Sequence, residues 1–321
     1  MMTISSKISA TGSYLPERIL TNAELSQKVE TSDEWIVERT GITKRHIAAE
    51  GELTSDIAYK AALRALEKSD IKAEDIDLII LATTTPDLTF PASATTVQAK
   101  LGANKAFAFD IHAVCSGFVY AIATADNFIK TGQVKNALVI GADILSRIVD
   151  WKDRNTCVLF GDGAGAVLLQ ATTEKNCGII SSDLHSDGTL NDILKTNGGP
   201  ALNQKTGFIE MAGKEVFKHA VEKMSKSVIS ALDKAGLTTK DIDLLVPHQA
   251  NIRILNAVAT RLELPPEKVI LTVHDHANTS AASIPLALDY ANSHNRIKKG
   301  DVVVLEALGG GLTWGSVVVR W

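Results

Sequence analysis

AFAFDIHAVCSGF, residues 106–118, contains the strongest fold signal in this chain and its first candidate nucleophile. The segment before Cys115 is apolar and β-prone, and the one after Phe118 is apolar and helix-prone, which predicts a buried strand, a sharp turn and a buried helix. Cys115 would then lie near a helix N-terminus, where unpaired N–H groups favour a thiolate. Packing is the alternative, because free cysteines are among the most buried residues.

Length and composition are those of an ordinary globular enzyme. The chain has 321 residues, 45% hydrophobic and 22% charged, which is enough for two domains or one large two-part core. Its net charge of −4 argues against nucleic acid or an anionic membrane as a partner. No apolar run has the roughly 18 residues of a membrane span, and no signal peptide is recognisable. Three cysteines fit reduced thiols, so we expect a cytoplasmic protein.

A repeated segment predicts two similar halves. KAEDIDLII at residues 72–80 returns as TKDIDLLV at residues 239–246. Farther on, a predicted strand Val269–Val273 corresponds to the strand before Cys115, and a predicted helix over 279–292 corresponds to the one over 116–130. We therefore expect an α/β protein with halves at 1–171 and 172–321, packed as one body. Equivalent strand ends would meet at a shared centre, where we expect the site.

Two glycine-containing segments are predicted to be turns. Residues Thr3 to Ala10 predict the first strand, and Gly12 to Pro16 a turn after it. FGDGAG at residues 160–165 could suggest a phosphate loop, but it leads into a strand and lacks the following Lys-Ser/Thr. We interpret it as a tight turn with close backbone packing.

Three chemistry-bearing residues lie at predicted strand-to-helix turns. Cys115 is in the first half, and His248 and Asn278 are in the second, each between an apolar strand and a helix. Such a set fits nucleophilic catalysis, although a single histidine at such a place is usually structural. The triple glycine Gly309–Gly311 follows a buried strand and could present a backbone N–H to an oxyanion.

Two further pairs allow a functional and a structural interpretation. Trp35 and Arg39 lie four residues apart on a helix predicted to start at Ser32, so they share a face. They could stack on a flat ring and hold phosphate, or simply pack together. His274 and His276 form an H-x-H pair that could bind a metal, but no cysteine or second pair accompanies them. We predict no metal site.

Six motifs resemble the signatures of one family, the type III β-ketoacyl-[acyl-carrier-protein] synthases among the thiolase-like condensing enzymes. They are TSDEWI (31–36), RTGI (39–42), FGDGAG (160–165), PHQAN (247–251), NTSAAS (278–283) and GGGLTWG (309–315). The resemblance extends over essentially the whole chain. It implies the duplicated, five-layered αβαβα thiolase-like fold, in agreement with the repeat, and a homodimer.

The resemblance also implies an acyltransferase reaction, the first condensation of type II fatty-acid synthesis, with no cofactor beyond the substrates. Cys115 would take the acyl group of a short acyl-CoA, usually acetyl-CoA. His248 and Asn278 would donate hydrogen bonds to the thioester carbonyl of malonyl-carrier protein and stabilise the enolate that decarboxylation leaves. The backbone N–H groups of Cys115 and Gly310 would form the oxyanion hole.

Other positions carry over from the family's motifs. The expected CoA contacts are Thr31, Trp35, Arg39, Arg154, Gly213, Phe217 and Asn251. The acyl carrier protein would meet a basic patch of Lys214, Lys218 and Arg253, and Phe90 would reach into the acyl pocket of the partner subunit. Leu308 stands beside the site where many members have phenylalanine, and Ala277 stands where glycine is usual. These departures leave the acyl-chain preference open.

Four rival interpretations remain at this point. A Cys-His-Asn hydrolase would have the same order of catalytic residues, but the signature Cys-Gly-Ser-Cys-Trp is absent. A thiolase proper needs a second active cysteine, and none follows Cys177. A related condensing enzyme with a longer, branched or aromatic primer would share every catalytic residue. A non-catalytic acyl-CoA-binding relative would not need all three reactive side chains.

Overall fold

The computed structural model describes residues 4–321, so residues 1–3 of the predicted first half, including Thr3 of the predicted first strand, lie outside the described residues. The α-helices are α1 (Asn22–Leu25), α2 (Asp33–Thr40), α3 (Thr54–Glu67), α4 (Ser93–Leu101), α5 (Gly117–Lys130), α6 (Arg154–Cys157), α7 (Gly213–Lys234), α8 (Ile252–Arg261), α9 (Val273–His276) and α10 (Ser283–Ser293). The strands are β1 (Ser5–Tyr14), β2 (Arg18–Thr21), β3 (Lys44–Ile47), β4 (Leu78–Ala82), β5 (Phe107–Ile111), β6 (Asn136–Ile144), β7 (Asp162–Thr172), β8 (Gly178–Ser186), β9 (Leu194–Thr196), β10 (Ile209–Met211), β11 (Leu244–Pro247), β12 (Val302–Gly309) and β13 (Thr313–Arg320).

Two mixed sheets form the framework. The first has the strand order β1-β7-β6-β4-β5, and the second has the order β11-β12-β13-β8. β4 pairs in parallel with β5 and β6, while β7 runs antiparallel between β1 and β6. In the second sheet β11 is parallel to β12, and β13 is antiparallel to both β12 and β8. Strands β4 and β12 are buried along their whole length, as apolar runs covered on both faces should be.

Helices cover both faces of both sheets and so give five layers. α3 and α4 pack on the outer face of the first sheet, where Ile57 and Val97 join its core. α7 and α8 cover the outer face of the second sheet through Met224 and Ile254. α5 and α10 lie between the sheets, in an apolar cluster to which both sheets contribute. The predicted five-layered αβαβα thiolase-like arrangement is confirmed.

The two halves repeat one order of elements, except that no strand of the second half corresponds to β5. The first runs β1-α3-β4-α4-β5-α5-β6-β7, and the second runs β8-α7-β11-α8-α10-β12-β13. β7 ends at Thr172 and β8 begins at Gly178. The boundary between the halves at residues 171 and 172 stays a prediction. It falls at the end of β7, the strand of the first sheet that comes last in the chain.

The turn predicted over residues 12–16 is wrong at its start, because β1 continues to Tyr14. Strand and helix approach so closely here that a Cβ on Gly12 would lie 2.4 Å from the carbonyl oxygen of Ala61 in α3. Gly12 therefore allows β1 and α3 to pack at backbone contact, and it does not form a turn.

FGDGAG is likewise part of a strand, since β7 begins at Asp162. A Cβ on Gly165 would lie 2.7 Å from the backbone nitrogen of Leu286 in α10. Close backbone packing at this segment is confirmed, and the tight turn is wrong.

The strand predicted over Val269–Val273 is reduced to a single parallel bridge between Val269 and Leu245 of β11, and beyond it one glutamine side chain takes the place of a neighbouring strand. The amide nitrogen of Gln249 donates to the carbonyl oxygen of Ile270 at 3.0 Å. Its amide oxygen accepts the N–H groups of Thr272 at 2.8 Å and Val273 at 3.1 Å. Backbone groups that a strand would pair with a ladder are satisfied by this buried side chain, and α9 starts at Val273.

Candidate active site

Cys115 lies in a single 3₁₀ turn, residues 114–116, between β5 and α5. The preceding Val114 has φ +48°, a left-handed conformation that costs energy in a β-branched residue. The turn is braced from the second half of the chain. The Ser116 hydroxyl lies 2.7 Å from the Thr313 hydroxyl and donates to the carbonyl oxygen of Ala113 at 2.7 Å. The strain holds the nucleophile in a fixed place at the start of the central helix.

The end of β12 passes directly against this turn. A Cβ on Gly309 would lie 2.7 Å from the backbone nitrogen of Cys115 and 3.0 Å from that of Ser116. Glycine is therefore required at position 309 for the C-terminal strand to reach the cysteine. The predicted oxyanion donor Gly310 is the next residue, and it lines the same cavity as Cys115.

Burial opposes the thiolate that the helix N-terminus was expected to favour. Cys115 is enclosed, and burial raises the pKa of its thiol to about 12, with the Asp143 carboxylate also raising it. The nearby Ser280 hydroxyl acts in the opposite direction on this pKa. The expectation that the helix N-terminus favours a thiolate at Cys115 is therefore wrong, because loss of water around the sulfur outweighs the partial charge of the helix.

His248 follows β11 and is 2% exposed. Its Nδ1 lies 2.6 Å from the Ser283 hydroxyl oxygen, which also accepts the N–H of Gln249 at 3.3 Å. The Ser283 hydrogen is thus free to be donated to Nδ1, an arrangement that leaves the imidazole hydrogen on Nε2. Burial lowers the pKa of His248 to about 3, so the ring is neutral near pH 7.

Asn278 is held by backbone and side chain. Its N–H donates to the carbonyl oxygen of Leu159 at 2.9 Å, and its own carbonyl oxygen accepts the N–H of Gly161 at 3.0 Å. Its side-chain oxygen accepts the N–H of Ser280 at 2.9 Å, which leaves the amide N–H groups as the free donors of that side chain. The preceding Ala277 has φ +59°, a conformation in which glycine is unstrained.

One cavity of about 1100 Å³ brings the three chemical side chains together. Most of the residues singled out from the sequence line it, on elements of both halves. The lining includes Trp35, Arg39, Cys115, Gly213, Lys214, Phe217, His248, Asn251, Arg253, Asn278, Leu308 and Gly310.

Cations and aromatic rings alternate in part of the cavity wall. The guanidinium of Arg39 lies 4.6 Å from the centroid of the Trp35 ring, and that of Arg154 lies 5.1 Å from it. Arg253 lies 5.9 Å from the centroid of Phe217. Ser32 caps α2 by accepting the Trp35 N–H, as predicted. This wall can offer a flat apolar surface and positive charge to one ligand.

Four predicted contact residues do not line the cavity within the described chain. Arg154 reaches it only through Trp35, and its guanidinium donates to the carbonyl oxygen of Glu30 at 3.0 Å. The Thr31 hydroxyl is buried, Lys218 is exposed on α7, and Phe90 is 82% exposed. An exposed Phe90 is what a residue that acts in a partner subunit requires.

Sequence reasoning missed the residues that orient the three side chains. Ser280 and Ser283 lie inside the motif NTSAAS, but the sequence does not indicate that Ser283 contacts His248 or that Ser280 contacts Asn278. Asp143 was not singled out at all. Its carboxylate accepts the N–H of Thr84 at 2.7 Å and that of Ala281 at 3.2 Å, and so joins the first half to the loop of Asn278.

Neither a metal centre nor a spanning helix occurs in the part of the chain that the structure describes. No three His, Cys, Asp or Glu side chains come together there in a way that could hold a metal ion. His274 instead lies 3.2 Å from the Asp275 carboxylate. Between residues 4 and 321, no helix combines the length and apolar character that crossing a membrane requires.

Comparison with known proteins agrees with this geometry. The family described as 3-oxoacyl-[acyl-carrier-protein (ACP)] synthase III matches residues 109–188, and its C-terminal family matches residues 232–321. The β-ketoacyl-[acyl-carrier-protein] synthase III of Ehrlichia canis (strain Jake) is 61% identical over 309 residues, 96% of this chain and 97% of that protein. The chain belongs to the β-ketoacyl-[acyl-carrier-protein] synthase III family.

Two more members of the synthase III family show how far the likeness extends. The enzyme of that name from Cereibacter sphaeroides (strain ATCC 17025 / ATH 2.4.3) is 56% identical and is covered fully, as is this chain. The crystal structure of 3-oxoacyl-[acyl-carrier-protein] synthase III from Aquifex aeolicus VF5 superposes with a TM-score of 0.94 at 48% identity, over 98% of this chain and all of that one. Membership of the synthase III family makes the chain an acyltransferase and sets aside the hydrolase and the thiolase proper.

Proposed function

We propose that this chain condenses a short acyl-CoA, acetyl-CoA in the simplest case, with malonyl-carrier protein to give a 3-ketoacyl-carrier protein. This reaction would initiate type II fatty-acid synthesis. The observation that carries the proposal is the convergence of Cys115, His248 and Asn278 on one cavity, beside a backbone rich in glycine. A nucleophile and two neutral donors are the groups that this reaction needs.

In the first half-reaction the Cys115 sulfur attacks the acyl-CoA carbonyl carbon. The carbon–sulfur bond to CoA breaks, the acyl group stays on Cys115, and CoA leaves as a thiol with the proton that the cysteine released. The oxyanion formed on the carbonyl would accept hydrogen bonds from the N–H groups of Cys115 and Gly310, and the contact of the adjacent Gly309 with the Cys115 backbone supports this assignment. Because the thiol is buried, attack depends on forming the thiolate inside the closed site.

In the second half-reaction the carbon–carbon bond to the malonyl carboxylate breaks and CO₂ leaves. The electron pair of that bond stays on the thioester fragment, which becomes an enolate. The Nε2–H of His248 and the amide of Asn278 would donate to the thioester oxygen that carries this charge. The enolate carbon then attacks the acyl carbonyl, and Cys115 leaves as a thiolate that takes up a proton. A histidine with a pKa of about 3 suits this role, since it donates one N–H without titrating near pH 7.

The cavity wall supports recognition of CoA. Trp35, between Arg39 and Arg154, is suited to an adenine ring with phosphate nearby, and Phe217 beside Arg253 could face the pantetheine arm. Lys214 and Arg253 line the cavity and make no ion pair with a carboxylate in residues 4–321. With the exposed Lys218 they would form the patch that receives the acidic carrier protein.

No metal or organic cofactor enters this scheme, because each bond change uses only the two thioesters and the side chains named. We further propose that the enzyme works in the cytoplasm. All three cysteines are free, which suits a reducing compartment.

Intact-mass measurement after mixing the protein with acetyl-CoA, and then with longer and branched acyl-CoAs, tests the proposal. We expect a gain of one acyl group that is lost in Cys115→Ala and kept in Cys157→Ala, a buried free cysteine that does not line the cavity. The acyl-CoA that labels best identifies the primer. Labelling in Cys115→Ala, or steady release of free acid with no need for malonyl-carrier protein, would contradict the proposal.

A further inference from the structure

Ser280 is the polar side chain at the centre of the site to which the scheme above gives no task. It is 1% exposed, lines the reaction cavity, and follows Asn278 by two residues. Its hydroxyl oxygen is fully enclosed and satisfies hydrogen-bond geometry with no residue between 4 and 321. A buried hydroxyl without a partner is costly, so a role for it has to be sought.

The backbone around Ser280 holds this hydroxyl in place. Ser280 has φ +50°, a left-handed conformation uncommon outside glycine. Its N–H donates to the Asn278 side chain at 2.9 Å, and the next N–H, of Ala281, donates to the buried Asp143 at 3.2 Å. The loop is therefore fixed on both sides of the serine, and the strain is maintained by bonds to two different elements.

The neighbour of this hydroxyl with chemistry is the Cys115 thiol. The turn that holds Ser280 packs against the turn that holds Cys115, because a Cβ on Gly117 would lie 3.6 Å from the Cβ of Ala281, and both side chains line the same cavity. In agreement with this proximity, the Ser280 hydroxyl lowers the pKa of the Cys115 thiol. The Ser280 hydroxyl and the neutral thiol do not meet hydrogen-bond geometry, and a thiolate is a better acceptor than a thiol. The interaction thus strengthens as negative charge develops on the sulfur.

We propose that Ser280 is a further catalytic residue, whose hydroxyl donates a hydrogen bond to the Cys115 sulfur whenever that sulfur carries negative charge. The proposal rests on the function proposed above, in which the sulfur is anionic twice. It is the attacking thiolate in acyl transfer and the leaving thiolate in condensation. In the acyl-enzyme between them the sulfur is a weak acceptor, so the bond is made mainly where it lowers a barrier.

The test uses iodoacetamide, which reacts with the thiolate and needs neither CoA nor carrier protein. We compare Ser280→Ala and Ser280→Gly with the parent protein between pH 7 and 9. Glycine removes the hydroxyl and also accepts the positive φ, so it guards against loss of the fold. We expect alkylation of Cys115 to slow about tenfold at each pH in both variants, as loss of one hydrogen bond to a charged group would predict.

Thr279→Val is the matched control. Thr279 is the adjacent residue, also has a buried hydroxyl without a partner among residues 4–321, and packs towards Gly163 instead of the cavity. We expect its alkylation rate to stay within twofold of the parent protein. Alkylation of Ser280→Gly at the parent rate would overturn the proposal, whatever the acyl-CoA experiment shows.

A second comparison separates action on the sulfur from action through Asn278. In a Cys115→Ala background there is no sulfur for Ser280 to stabilise, so Ser280→Gly should leave decarboxylation of malonyl-carrier protein unchanged. A fall in that rate would show that the residue acts by positioning Asn278, and would also overturn the proposal. Absence of acyl transfer with every acyl-CoA would instead contradict the proposed function and leave the alkylation result standing.

Discussion

Cys115 and His248 are both neutral near pH 7, and this determines how each half-reaction depends on pH. Burial raises the thiol pKa to about 12 and lowers the imidazole pKa to about 3. Between pH 6 and 9 the thiolate fraction should then rise about tenfold per pH unit, while His248 remains the same neutral donor. The protonation states thus assign pH sensitivity to acyl transfer and not to condensation.

We therefore predict two different pH profiles. Transfer of acetyl from acetyl-CoA to Cys115, followed by rapid quenching and intact mass, should accelerate throughout pH 6–9 without a plateau. Condensation from enzyme that already carries the acetyl group should be flat from pH 5 to 8, because His248 protonates only near pH 3. A plateau of acyl transfer near pH 7 would show that the thiolate forms far more easily than burial allows.

The reactive side chains could be found from the sequence, and their supports could not. Cys115 and His248 each lie between an apolar strand and a helix, as the sequence predicts, whereas Asn278 follows the short helix α9 where the sequence predicted a strand. The pairing of His248 with Ser283 joins residues 35 positions apart and depends on how α10 meets β11. The predicted thiolate at Cys115 was also wrong, because the loss of water around its sulfur depends on the assembled cavity, which the sequence does not show.

At the scale of elements, the end of β12 must touch the turn of the nucleophile. We predict that Gly309→Ala displaces this turn, because its Cβ would lie 2.7 Å from the backbone nitrogen of Cys115 and 2.9 Å from the carbonyl oxygen of Ala113. Both are backbone atoms and cannot rotate away. Acyl transfer from acetyl-CoA should fall at least a hundredfold, as expected when an oxyanion donor is misplaced.

Gly188→Ala is the control for this change. A Cβ at Gly188 would meet nothing within 4 Å, and the residue has no positive φ. It should melt and react like the parent protein, so that any loss in Gly309→Ala reports the contact and not the general cost of alanine for glycine. An acyl-transfer rate in Gly309→Ala within threefold of the parent would contradict the prediction.

Glycines are also where sequence reasoning about elements failed. Gly12 and Gly165 belong to segments whose composition predicts a turn, yet they lie in β1 and β7, where the backbone of a helix passes in contact with each strand. The sequence alone does not distinguish a glycine that allows a turn from a glycine that allows a helix to pack closely against a strand. The missing strand over 269–273 has a similar cause, since the competing partner was the side chain of Gln249. The helix predicted over 116–130, in contrast, agrees with α5 at Gly117–Lys130 to within one residue.

At the scale of the whole molecule, one edge of the first sheet is left open. β5 is the last strand in its sheet and has no pairing on its outer side within the described chain. Phe107 at its start and Leu88 and Phe90 in the loop after β4 are exposed apolar residues. Exposed edge strands and exposed apolar side chains are typical of surfaces that associate with a second copy of the chain. We predict a dimer of twice 34.3 kDa by light scattering, with the two β5 strands side by side.

In this dimer Phe90 would close the acyl pocket of the partner subunit, and mixed dimers test this role. If Phe90 of one subunit closes the acyl pocket of the other, Phe90→Ala should shift the best acyl-CoA towards longer chains without altering its own cavity, which Phe90 does not line. A mixed dimer of Phe90→Ala with Cys115→Ala subunits has its one reactive cysteine facing an intact Phe90. That cysteine, read by intact mass, should regain the parent preference for acyl chain. If it kept the shifted preference instead, Phe90 would act within its own subunit, and the proposed reach across the interface would be wrong.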